Sequence, residues 1–142
     1  MWSNIMFSNI LVPAYMLILI TFIVSFIHLF ATLKISKPDQ QWADGIPLMP
    51  YGSSPDNLKL IKNNIQNLFE MPVLFYVMTL FCFVQGLQNE ILIVLSWAYV
   101  MLRGIHSAVH IFTHHTMARG LIYVFSNLAL LAMLFIMMRS VH

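Results

Sequence analysis

The sequence predicts an all-α integral membrane protein built as a bundle of four transmembrane helices. Composition is the first observation behind this. Of 142 residues, 60% are hydrophobic and 8% are charged, with a mean hydropathy of +0.81. A water-soluble domain carries about 25% charged residues. The second observation is four long apolar segments, each matching the roughly 20 residues that a bilayer crossing needs. The third is length, which leaves room for one compact unit over residues 1–142 and no second domain.

The elements follow in order. Residues 5–33, "IMFSNILVPAYMLILITFIVSFIHLFATL", hold no Asp, Glu, Lys or Arg, and they predict a first span over about 9–33. A cleaved signal peptide has a basic start and a shorter apolar core, and this segment has neither. "MPVLFYVMTLFCFVQGLQN" is also uncharged. It continues an amphipathic lead-in from Asp56, so the second span is expected over 57–87. Ser54 as N-cap and Pro55 at the first helical position would open it. "ILIVLSWAYVML" runs on through Arg103 as a third span over 90–112, and "GLIYVFSNLALLAMLFIMM" centres the fourth over 118–139.

The connections are unequal. Residues 34–56 form a long polar loop with four of the six prolines, "QGLQNE" is a tight turn, and "THHTMAR" joins the last two spans. Four spans leave both termini on one side of the membrane. The opposite side carries Lys34, Lys37, Lys59, Lys62 and Arg119 against Arg139 alone, which places loops 1 and 3 in the cytoplasm. A net charge of +2 is too small to indicate a nucleic-acid partner. Cys82 is the single cysteine, so no internal disulfide exists. Its apolar surroundings disfavour a reactive thiolate.

Three spans carry polar stripes. In the second, Lys59, Lys62, Asn63, Gln66, Asn67 and Glu70 recur at helical spacing, with Leu58, Ile61, Ile65 and Leu68 on the other side. The stripe runs inward and ends at Glu70, about 16 Å along the helix from Lys59. Pro72 follows, where a missing amide frees a carbonyl. In the third span Arg103, His106, His110 and His114 stack on one side, with His115 adjacent. In the fourth, Arg119, Tyr123 and then Ser126 or Asn127 share a face. All three stripes occupy the cytoplasmic half of the membrane.

An ionisable residue inside a bilayer costs about 2.5–3.5 kcal/mol, so Glu70 and Arg103 need partners or water. One reading is a stabilising network in which Glu70 pairs with Arg103. That leaves Arg119, Lys62 and the histidines over-supplied, and an excess of cations around one carboxylate suits an anionic ligand. A third reading is metal, because "HSAVHIFTHH" places histidines one helical turn apart. Too few histidines remain elsewhere for a di-iron site, and two arginines beside a dication would repel it.

"NLFEMPVLF", "RGIHSAVH" and "RGLIY" together resemble the MAPEG family, the membrane-associated proteins of eicosanoid and glutathione metabolism. The resemblance covers essentially the whole chain. It implies a homotrimer of four-helix subunits that binds glutathione between neighbours in the cytoplasmic half. By position, Asn67 and Glu70 match the family's helix-2 pair that holds glutathione, with Lys62, Gln66 and Asn63 beside them. Arg103 and His106 match the helix-3 pair, Arg119 the arginine assigned to the thiolate, and Tyr123 a tyrosine of the prostaglandin synthase-like members. Asn63 stands where glutathione-using members have an arginine, and His110 where they commonly have a tyrosine.

The resulting expectation is a glutathione-dependent transferase or peroxidase. Arg119 and Tyr123 would carry the chemistry, and Asn67, Glu70, Arg103, His106, His110, Lys62, Gln66 and Asn63 would hold the cofactor. The second substrate would be a lipophilic electrophile or hydroperoxide drawn from the bilayer. The alternative is a non-catalytic lipid- or anion-binding module of the same fold, favoured by Asn63 and His110.

Overall fold

The structure, a computed structural model, describes residues 9–35, 42–43, 46–47, 56–87, 89–112 and 116–140. Four helices dominate it: α1 (Leu11–Ile35), α2 (Asp56–Val84), α3 (Glu90–Phe112) and α4 (Thr116–Ser140). Between α1 and α2, β1 (Trp42–Ala43) and β2 (Ile46–Pro47) pair antiparallel as a two-residue ladder. The helix ends differ from the expected spans by a few residues at most. Ser54 and Pro55, the expected cap of α2, lie outside the described residues.

Local chemistry sets the ends that are described. Asn9 caps α1, its Oδ1 accepting from the Leu11 amide at 2.9 Å. Asn89 caps α3 in the same way, through Ile91 at 2.9 Å. An oxygen acceptor satisfies amides that have no partner inside the helix. At the end of α2, Gly86 has a φ of 70°, a left-handed conformation that only glycine adopts without strain. The Gly86 amide donates to Phe83 O at 3.1 Å and the Leu87 amide to Cys82 O at 2.8 Å. This double bond pattern is the Schellman motif, and it turns the chain directly into α3.

Within α1, Thr21, Ser25 and Thr32 each donate a hydroxyl proton to the carbonyl four residues back. Such bonding hides polar side chains from hydrocarbon. Pro72 sits inside α2 without ending it, and it is buried against the bundle.

All four helices contain a stretch long and apolar enough to cross a membrane: Leu11–Lys34, Leu60–Val84, Glu90–Val109 and Met117–Ser140. The closest pairing is α3 with α4, α1 lies across α2 and α3, and α2 touches α4 only slightly. Ile10, Leu17, Phe75, Leu92, Tyr99 and Met133 are among the residues that fill the shared core, and Cys82 is buried there. Outside it, Phe22, Phe26, Phe30, Phe81, Phe125 and Phe135 are exposed. So much contiguous apolar surface is stable only against lipid or another protein. The chain is a multi-pass integral membrane protein.

Candidate functional site

The α3–α4 seam holds a cluster of buried polar side chains. Arg103 is the largest fully buried side chain among the described residues. Its Nε donates to the Tyr99 hydroxyl at 3.1 Å and its Nη2 to Asn127 Oδ1 at 3.4 Å. The guanidinium carbon lies 5.3 Å from the ring centre of Tyr99 and 5.0 Å from that of Tyr123. Two π faces and two neutral oxygens thus wrap the cation, each face attracting it electrostatically. Tyr99 is itself fixed by stacking on Phe75 of α2, with centroids 4.7 Å apart. The helical repeat builds this arrangement: Tyr99, Arg103 and His106 lie on successive turns of α3, and Tyr123 and Asn127 on successive turns of α4.

His106, also buried, reaches the first turn of α4, where its Nδ1 lies 3.2 Å from the Arg119 carbonyl. That contact is a hydrogen bond in the tautomer that protonates Nδ1. The His106 and Tyr123 rings are 5.8 Å apart. Arg119 is half-buried in the opening turn of α4, where backbone amides and the helix dipole favour an anion. The α3 and α4 stripes therefore meet, and Arg103, His106 and Tyr123 form one cluster with Arg119 at its edge.

The α2 stripe does not join them within the protomer. Lys62, Asn63, Gln66 and Glu70 are exposed and Asn67 is half-buried, on the side of α2 turned away from the core. Glu70 accepts from Gln66 Nε2 at 3.2 Å. The expected Glu70–Arg103 ion pair is consequently absent. The stripe's common face was readable from periodicity, but that face points outward, whereas Arg103 turns towards α4. Asn127 faces Arg103, while Ser126 is buried and donates to Tyr123 O at 2.8 Å, so the two candidates at that turn divide.

Other residues complete the site that the stripes alone did not reveal. Tyr99 carries a signal in retrospect, since it stands one turn before Arg103. Asn64 is fully buried on the Ile61–Leu68 side of α2, and neither atom of its amide has a hydrogen-bond partner. Ser107 Oγ and Arg103 Nη1 are likewise buried without one. These three groups lie at the end of the bundle where α2 begins and α3 ends, and buried polar groups of this kind call for a partner.

The side chains of Lys59 and His110 and all of His114 and His115 lie outside the described residues. Among the described residues, no three His, Cys, Asp or Glu side chains converge as a metal site would require.

Comparison with known families then decides the relationship: the model described as MAPEG family matches residues 10–139, nearly the whole chain. The chain belongs to the MAPEG family. No curated protein and no solved structure matches it. Membership places the protein among membrane proteins of eicosanoid and glutathione metabolism. The MAPEG match includes α1 to α4, and so both the buried Arg103 cluster and the outward stripe of α2.

Proposed function

We propose that this MAPEG protein is a glutathione-dependent transferase or peroxidase acting on lipophilic electrophiles or hydroperoxides, and that it works as a homotrimer. The observation that carries the reading is Arg103. It is fully buried inside a membrane span with tyrosines and an asparagine as its neighbours, and no carboxylate among the described residues is paired with it. A charge held there at a cost of about 2.5–3.5 kcal/mol is matched to an anionic ligand, and the carboxylates of glutathione supply one.

The outward stripe of α2 supports assembly. Lys62, Asn63, Gln66 and Glu70 are exposed within the Leu60–Val84 span, and lipid is a poor partner for them. In the trimer, α2 of one subunit faces α3 and α4 of the next. Asn67 and Glu70 then complete a site that Arg103 and His106 begin. Loops 1 and 3 face the cytoplasm by their excess of Lys and Arg, so glutathione arrives there and the apolar substrate arrives through the bilayer.

Arg119 lies at the wet edge of this site. A guanidinium beside the thiol favours the thiolate over the thiol. The thiolate sulfur forms a bond to an electrophilic carbon, and the displaced group departs with its electron pair. With a hydroperoxide, two glutathiones are oxidised to the disulfide while the hydroperoxide is reduced to alcohol and water. A non-catalytic anion-binding module is the second reading. It is favoured by Asn63, an amide that lacks the bidentate grip of an arginine on a carboxylate.

Titration of the detergent-solubilised protein with glutathione, followed by thiolate absorbance in the ultraviolet, separates the readings. Binding with thiolate supports catalysis, binding without thiolate supports the module, and absence of binding removes glutathione. Cross-linking in mild detergent that yields monomer alone rejects the trimer.

A further inference from the structure

The opening of α4 carries both residues to which the chemistry is assigned, yet little packing holds it within the protomer. Met117, Ala118, Gly120 and Leu121 are exposed, and Arg119, Ile122 and Tyr123 are only half-buried. The first buried side chain among the described residues of α4 is Ser126, more than two turns into the helix. Gly120 weakens the segment further, because glycine is a poor helix former. No neighbour demands a glycine there, since a Cβ at that position would meet nothing within 4 Å. Helix ends open most readily in any case.

His106 reaches this opening from α3. It is buried, its Nδ1 lies 3.2 Å from the Arg119 carbonyl, and its ring is inclined by 52° to that of Tyr123. In the helical pattern the Arg119 carbonyl also accepts from the Tyr123 amide. A carbonyl oxygen has two lone pairs, so both bonds coexist. One oxygen thus ties the first turn of α4 to its second turn and to α3. Arg103 grips α4 deeper, at the Tyr123 ring and at Asn127. The His106 bond needs a proton on Nδ1, which one neutral tautomer and the imidazolium both carry, so the anchor holds in either charge state.

We infer that His106 is a positioning residue for the chemistry of Arg119. By holding the Arg119 carbonyl it fixes the first turn of α4, and with it the place from which the guanidinium meets the thiol. The inference rests on the glutathione reading above and is separate from any contact that His106 makes with glutathione. The pull of a guanidinium on a thiolate falls with distance. Misplacing a positioning group by about 1 Å costs up to about 10²-fold in rate. An Arg119 on a fraying turn loses both advantages, although its side chain is intact.

Substitutions that keep or lose the donor at the δ position separate this role from packing. In His106→Asn the side-chain amide occupies the place of Nδ1, whereas in His106→Gln it occupies that of Nε2. Thiolate absorbance is followed against pH at saturating glutathione, so that weakened binding drops out. His106→Ala and His106→Gln should raise the apparent pKa of the bound thiol by about one unit, which is about tenfold less thiolate below it. Turnover should fall in step, and His106→Asn should recover most of the loss. Hydrogen exchange of the ligand-free, full-length protein in detergent provides a second reading. The amides of residues 120–123 bond to the carbonyls of residues 116–119, and they should exchange about tenfold faster in the Ala and Gln variants than in Asn. A packing role alone would place Asn, the smaller side chain, below Gln. That order, or an unchanged thiol pKa in His106→Ala, overturns the inference. A parent protein that forms no thiolate rejects the glutathione reading instead, and the order of the exchange rates still upholds or overturns the anchor.

Discussion

Arg103 and Glu70 are both charged residues within membrane spans, yet the protomer buries the first completely and leaves the second exposed. Around Arg103 the protein supplies its own solvation, from Tyr99, Tyr123 and Asn127. Around Glu70 it supplies Gln66 from the same helix. The first region is finished by folding, except that no described carboxylate pairs with the guanidinium. The second is unfinished, and its polar stripe calls for something outside the protomer. A charged residue in an apolar chain thus has two different meanings, and only the environment around the helix tells them apart.

The largest expected effect tests chemistry at the edge between the two regions. Arg119 is half-buried and its carbonyl, not its side chain, makes the contact with His106. Arg119→Ala should therefore keep the backbone contact, the fold and the assembly. Turnover and thiolate absorbance should fall by about 10²-fold or more, the scale of removing one preorganised group facing a developing anion. Wild-type turnover in this variant would move the catalytic assignment to Tyr123, and silence there too would leave a binding role.

A smaller effect distinguishes structure from binding at Arg103. Arg103→Ala should lower unfolding stability in detergent by about 2–4 kcal/mol, because it empties the space between two tyrosine rings. Arg103→Met keeps most of the apolar stem and removes the buried charge, so it should stay within about 1 kcal/mol of the parent. Both should lose glutathione binding in calorimetric titration. If Arg103→Met binds as well as the parent, the guanidinium is a structural group only. The loss in Arg103→Ala has nothing to do with Glu70, which never was its partner in the protomer.

How far the sequence could see follows from the same contrast. Charge-free segments of sufficient length made the four spans legible, and the three-four spacing placed Arg103 with His106 and Arg119 with Tyr123. Periodicity fixes which residues share a face but not which way that face points in the bundle. The outward turn of the α2 stripe was therefore invisible, and the Glu70–Arg103 pair was inferred from depth alone. Asn64 was hidden for a related reason: it neighbours Asn63 in sequence but points about 100° away around the helix, towards the side of Ile61 and Leu68.

Asn64 also gives the smallest and sharpest test of the finished region. Its amide is fully buried with no hydrogen-bond partner on either atom, so the protomer bears a desolvation cost that it does not recover. Removing a polar group under those conditions relieves the cost, whereas removing one that is well bonded adds to it. Leucine shares asparagine's branching at Cγ and its number of heavy atoms, with no group that needs a hydrogen bond. Asn64→Leu should accordingly raise unfolding stability in detergent by about 1 kcal/mol, while Asn64→Ala should gain less because it leaves a void. The comparison with Glu70 sets the alternative outcome. If Asn64→Leu destabilises the protein, the amide is bonded to an internal water or a ligand, and the interior around Asn64 is a polar pocket. Glutathione titration of the same variant then decides between these two occupants: unchanged affinity assigns the amide to water, and weakened affinity assigns it to the ligand.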